Sequence, residues 1–191
     1  MPGHLRAEEE AHPQTEVELW AMDEHRVGLK PIVRRVWTPP GEAPIASVDP
    51  GYEWLYVAGF VHPQSGKSSF WLLSGVDGAV FALLLQAFAQ EQGVGPRKRI
   101  LLVLDQAGWH GSGEIRPIEG LILRPLPAYS PELQPLERVW PLVDEPLANR
   151  AFATLEEVEA VLEDRCVRLT EMPEVLRAHT LFHWWPLATN E

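Results

Sequence analysis

Apolar residues come in short bursts separated by polar or proline-rich links, the spacing of an α/β domain. Val17-Glu18-Leu19-Trp20-Ala21-Met22 alternates and then runs apolar, as a central strand does, and closes at Asp23-Glu24. A basic segment, Lys30 to Trp37, leads to a turn at Thr38-Pro39-Pro40-Gly41. Tyr52–Val61 and Ser68–Leu73 read as a strand pair joined by a polar link. Asp77 is placed to cap a helix from Ala79 to Gln92, with Val80, Leu83, Leu84, Ala87 and Phe88 on its apolar face and Gly93 as the stop. Two more apolar runs, Ile100–Leu104 and Leu121–Leu123, read as strands. Thr154 and Glu157 form a capping box for a helix reaching about Leu169, with Leu155, Val158, Val161, Leu162, Cys166 and Leu169 along one face. This order predicts a mixed sheet, antiparallel at its start and parallel after the first helix. Residues 1–14 lack apolar periodicity and read as a flexible tail or a short helix. The main domain is expected over residues 15–170, and residues 171–191, with Trp184-Trp185, as a tail packed on it.

Composition narrows the class. The chain has 191 residues, 46% hydrophobic and 23% charged, enough for one domain with a full core. No apolar run reaches the roughly 18–20 residues needed to cross a bilayer, and the N-terminus lacks a signal-peptide layout. A cytoplasmic protein with no membrane partner is expected. A single cysteine, Cys166, excludes an internal disulfide and a cysteine-only zinc site. The net charge of −11 argues against wrapping nucleic acid over the whole surface. The bases sit in two local groups: Arg26, Lys30, Arg34 and Arg35, then Arg97, Lys98 and Arg99. Solvated faces are the commoner meaning of such groups, and any DNA contact they make is weak and local.

The candidate chemistry lies between Arg99 and Trp140. Asp105 closes the apolar strand Ile100–Leu104, and Glu137 follows a proline-rich bend. Pro135 favours the first position of a helix, which puts Gln134 at its cap and Glu137 in its first turn, where the helix dipole favours an anion; Glu132 and Asp144 are weaker rivals. Two such acids at one sheet edge are oxygen ligands for hard divalent cations.

The order Asp105-Gln106-Ala107 with His110, then Pro127-Ala128-Tyr129-Ser130-Pro131-Glu132-Leu133-Gln134-Pro135-Leu136-Glu137 and Trp140, resembles the catalytic domain of mariner-like transposases. The closer match is to their bacterial insertion-sequence branch. The likeness extends to Asp23-Glu24, Gly28-Leu29-Lys30 and Val36-Trp37-Thr38-Pro39, so it spans about Val17 to Leu169. It implies a ribonuclease H-like fold with a mixed five-stranded sheet flanked by helices. It also implies a third acid, Asp23, on the first strand. Asp23, Asp105 and Glu137 would then hold two Mg²⁺ or Mn²⁺ ions and carry DNA cleavage and strand transfer. Glu24, on the other side of the strand by alternation, is a weaker candidate. Gln106 stands where the family has Asn. His110 supports a ligand, contacts phosphate or is an ordinary loop histidine, each ahead of ligating metal. Lys30, Arg34, Arg35, Tyr129 and Ser130 complete the residues expected to support the acids or touch DNA.

Two departures bear on activity. The family follows the glutamate with a helix carrying a basic residue, whereas here Pro141 interrupts it and Asp144-Glu145 replace positive charge. The helix-turn-helix region that family members carry is not expected in this chain. The expected partners are therefore DNA, a separate DNA-binding chain or domain, and a second copy of the chain. The alternatives to an active transposase domain are a non-catalytic remnant, a repurposed interaction module, or a host ribonuclease H-like nuclease.

Overall fold

The computed structural model describes residues 2–35, 37, 39–41 and 52–188. Val36 and Thr38 of the resembling segment lie outside them. Five strands form one sheet in the order β3-β2-β1-β4-β5: β1 Glu16–Gly28, β2 Trp54–His62, β3 Lys67–Leu73, β4 Lys98–Leu104 and β5 Leu121–Pro125. β1 pairs antiparallel with β2, and β2 with β3, while β4 runs parallel to both β1 and β5. The mixed sheet expected from the pattern is the one observed.

Alternation along the central strands sends side chains into two cores. Leu19, Ala21, Leu101 and Val103 face one, which is covered by α3 Trp140–Asp144, α4 Leu155–Thr170 and α5 Pro173–Thr180. Trp20, Met22, Phe60, Ile100, Leu102 and Leu104 face the other, covered by α2 Gly78–Glu91. The caps behave as read: Asp77 accepts from the Val80 amide and Thr154 from the Glu157 amide. The buried face of α2 is Phe81, Leu84, Leu85, Phe88 and Ala89, one position round from the expected stripe, leaving Leu83 exposed. Nearly every residue of this helix is apolar, so periodicity alone does not orient it; burying both Phe81 and Phe88 does.

One further expectation changes, and the two chain ends take definite form. β1 does not stop at Asp23-Glu24 but continues to Gly28, because β2 supplies hydrogen-bonding partners from Ala21 to Gly28. The first residues form α1 Pro2–Ala11, anchored by buried Leu5 and by Glu8, whose carboxylate lies 3.1 Å from Arg99. At the other end, Phe182, Trp185 and Ala188 are buried after α5, while Trp184 is partly exposed. Among the described residues no helix is long and apolar enough to cross a membrane.

Candidate active site

The register of β1 and β4 brings the first two acids together. Ala21 lies opposite Val103, and Asp23 and Asp105 each follow two residues later, just past the point where the parallel pairing of β1 with β4 ends. This sheet edge is where α/β folds present their ligands. From β5 the chain returns over it. Gln106 Nε2 donates to the Leu126 carbonyl (2.8 Å), tying the loop after β4 to the start of that return. Gln134 Nε2 donates to the Met22 carbonyl (2.9 Å), one residue before Asp23. Glu137 is thereby carried to the same place.

Glu137 does not sit in the α-helix expected for it. Pro135–Arg138 is one 3₁₀ turn, and a separate helix, α3, begins at Trp140. Pro141 falls in the first turn of α3, where an amide donor is not required, so the proline starts a helix instead of breaking one. Gln134 flanks the 3₁₀ turn as its cap residue, but its side chain makes no capping bond because it is committed to Met22.

A cavity of about 480 Å³ opens here, lined by Asp23, Asp105 and Glu137 together with Gln106, Tyr129, Ser130 and Gln134. Among the described residues no lysine or arginine lines it. Asp23 is buried, and burial pushes its carboxyl up to about 7; the charges of Glu24 and Glu137 add to the rise, and a 2.8 Å hydrogen bond from Trp140 Nε1 resists it. Gln134 Oε1, fully buried, has no hydrogen-bond partner. Three carboxyls, a buried orphan acceptor and no protein cation are a donor set that hard divalent ions fit. Tyr129 stands at the cavity fully exposed, on a left-handed backbone (φ 58°) that costs a tyrosine about 1–3 kcal/mol.

The opposite face of β1 supports Asp105. Glu24 points away from Asp23, as alternation requires, and accepts hydrogen bonds from Trp109 Nε1 (3.0 Å) and from the His110 ring (3.1 Å). His110 Nδ1 in turn lies 2.9 Å from Asp105 Oδ1. Burial disfavours a charged imidazole, yet the hydrogen bond and charge of Glu24, with Asp105, raise the His110 pKa above its ordinary value. Ligand atoms of Glu24, Asp105 and His110 lie within 4.8 Å of one another, a closer grouping than Asp23, Asp105 and Glu137 make among the described residues. Both imidazole nitrogens already face oxygen acceptors, so this trio is a hydrogen-bonded support for Asp105 and not an open ligand set.

A family model described as DDE superfamily endonuclease matches residues 18–159. The chain belongs to the DDE superfamily endonucleases. A relative in Sinorhizobium fredii (strain NBRC 101917 / NGR234), the uncharacterized protein y4pE/y4sA, is 30% identical over 132 residues, 69% of this chain and 96% of that one. The fold is that of solved mariner transposases. A Mos1 transposase paired-end complex with left transposon end matches at TM-score 0.57 and 17% identity, over 92% of this chain and 59% of that one. A Mos1 mariner paired end complex with Mn matches at TM-score 0.61 and 16% identity, over 94% and 59%. This endonuclease chain thus spans about three-fifths of those transposase chains, and shares with them a ribonuclease H-like architecture.

Of the residues singled out in the sequence, this DDE endonuclease gathers Asp23, Asp105, Glu137, Gln106, Tyr129 and Ser130 around one cavity, with His110 behind Asp105. Lys30, Arg34 and Arg35 do not line it. Arg34 instead donates to the Pro141 carbonyl (2.7 Å), and its amide donates to Asn149 Oδ1 (2.9 Å). Gly59, Trp109, the acceptor role of Glu24 towards Trp109 and His110, and the donor role of Trp140 are not read from the sequence. Gly59 pairs with Asp23 across the strands, and a Cβ there would come within 2.8 Å of the Trp140 ring. An unexplained strand glycine was the one signal available.

Proposed function

We propose that this chain is the catalytic domain of a mariner-like transposase of the insertion-sequence type, cutting DNA phosphodiesters and joining 3′ ends. The observation that supports it most is the convergence of Asp23, Asp105 and Glu137 on one cavity that no protein cation lines. Those three carboxylates would hold a pair of Mg²⁺ or Mn²⁺ ions. When bound, such ions acidify a water or a 3′-hydroxyl and stabilise charge on the leaving oxygen. The chain's own residues do the positioning. Trp140 orients Asp23, His110 and Glu24 orient Asp105, and Gln134 ties the Glu137 turn to β1. Tyr129 and Ser130 at the cavity, and the basic segment with Lys30, Arg34 and Arg35, would meet the DNA backbone. Recognition of specific ends by a separate DNA-binding chain or domain, and pairing of two copies, belong to the same proposal.

Supercoiled plasmid incubated with the chain and Mn²⁺ tests the reading. Nicked circles should form with the wild-type chain and require the metal. Asp105→Ala, Asp23→Ala and Glu137→Ala should each lower the rate by at least about 100-fold, since metal stabilisation of the transition state is worth several kcal/mol. Nicking no faster than Asp105→Ala overturns independent activity and favours a non-catalytic remnant or interaction module.

A further inference from the structure

We propose that His25 and Asp144 are positioning residues for Asp23 and act on it through Trp140. Trp140 and Asp144 stand four residues apart on α3, so their side chains leave one face of the helix together. His25 docks against both. Its ring stacks on Trp140 with centroids 5.1 Å apart and planes 13° from parallel, and its Nε2 lies 2.9 Å from Asp144 Oδ1. His25 follows Asp23 by two residues on β1 and therefore shares its face of the strand. The indole between them gives its single N–H to Asp23 Oδ2 at 2.8 Å.

Each contact removes a freedom that would cost Asp23 its donor. An indole has one N–H lying in the ring plane, so the bond to Asp23 holds only while the plane is fixed. Stacking fixes the plane on one face, and close packing against Gly59 fixes the ring edge. The Asp144 bond keeps the imidazole from turning out of the stack. Asp144, at the position where the resembling family carries a basic residue, thus has a task inside the protein. Partners one step removed from a ligand typically change metal affinity by 10–100-fold when lost.

The inference rests on the reading of Asp23 as a cation ligand, and Mn²⁺ binding to the full chain, followed by the free-ion electron paramagnetic resonance signal, tests the two separately. Asp23→Asn should weaken binding. His25→Ala and Asp144→Ala should each weaken it by about ten-fold, the double variant no more than either single one. Trp140→Phe, which keeps a ring but not the N–H, should match them. None of the three should weaken binding further in the Asp23→Asn background. Wild-type affinity in His25→Ala, beside a weakened Asp23→Asn, overturns the positioning role and leaves Asp23 a ligand. Unchanged affinity in Asp23→Asn overturns the ligand reading and the inference with it. An equal loss from His25→Ala in both backgrounds marks a general structural defect and overturns the inference alone. Should His25→Ala fail to fold, His25→Gln, which keeps a donor for Asp144 without the stacked ring, is expected to show the same ten-fold loss, and wild-type affinity in it overturns the role.

Discussion

Asp23 is held in a place that suits a carboxylate only when something else neutralises it. Burial raises its pKa from 3.8 to about 7, the neighbouring carboxylates Glu24 and Glu137 push the same way, and the single indole bond does not compensate. The sign of the linkage follows. An acid whose folded pKa exceeds its unfolded one keeps its proton longer in the fold, so stability is lost as pH rises from about 4 towards 7. Above that window the fold carries the full penalty, on the order of 4 kcal/mol. Asp23→Asn removes the charge and keeps an oxygen for Trp140. In metal-free buffer at pH 8 it should therefore stabilise the chain towards urea by up to about 4 kcal/mol, and the gain should vanish near pH 4. A stability gain that is the same at both pH values would show that the cost of Asp23 is steric. In the proposed reading a divalent ion bound beside Asp23 would offset this cost.

At the scale of elements, β1 ties the molecule's two ends together. Its carboxyl-terminal half carries Asp23, Glu24 and His25, and its amino-terminal half carries a second buried charge, Glu18. Burial opposes that charge, but the hydrogen bond from Trp20 (2.7 Å) and the Lys98 ammonium (2.9 Å) outweigh it and hold the carboxyl below its usual value of 4.5. Here the stability is present above about 4.5 and is lost as pH falls through the folded pKa. Glu18→Gln should cost roughly 2 kcal/mol at pH 7, the worth of a hydrogen bond to a charged group. The gap from wild type should close in acid, as unfolding curves at pH 7 and pH 3 would show. Much of this layout was legible in the chain. Caps at Asp77 and Thr154 and the apolar runs at Ile100–Leu104 and Leu121–Leu123 are local signals, and local signals survive folding. The reach of β1 past Asp23 was not legible, because polar Glu24, His25 and Arg26 are held in a strand by their partners on β2. Nor was the placement of Pro141, which depends on the 3₁₀ turn before it. That the three acids would share a cavity followed from strand ends and a fixed motif. The groups that orient them, His25 with Asp144 and Glu24 with His110, lie 119 and 86 residues apart, and a single sequence carries no signal of such pairing.

For the molecule as a whole, charge sets the terms on which it would meet DNA. A net charge of −11 repels a polyanion over most of the surface. The cavity beside Asp23 is itself lined by three acids, so in the proposed reading the attraction would have to come from cations bound there and from the few bases nearby. Of these, Arg34 is anchored to α3 through the Pro141 carbonyl, four residues beyond Glu137, which fixes the basic segment close to the turn that carries the acid. Arg26 lies over Trp54 and Lys30 shares a groove with His25 and Asp144, so both flank the same end of β1. If Lys30, Arg34 and Arg35 are the phosphate contacts, each released counterion contributes about 0.9 to the salt slope of duplex binding. The logarithm of affinity should then fall against the logarithm of salt with a slope of about −3, far shallower than a basic DNA-binding domain shows. Replacing the three bases with alanine should flatten the slope to near zero and weaken binding to specific and random duplexes alike, because phosphate contacts carry no sequence. Fluorescence anisotropy with labelled duplexes, in Ca²⁺ to hold the site without cutting, measures both quantities. A slope that survives the triple substitution would move the DNA track to the other basic group, Arg97, Lys98 and Arg99. That group lies at the amino end of β4, across the sheet from the cavity, where Lys98 is already paired with Glu18 and Arg99 with Glu8. Bases so engaged have little charge left for phosphate, which is the physical reason to expect the slope to follow Lys30, Arg34 and Arg35.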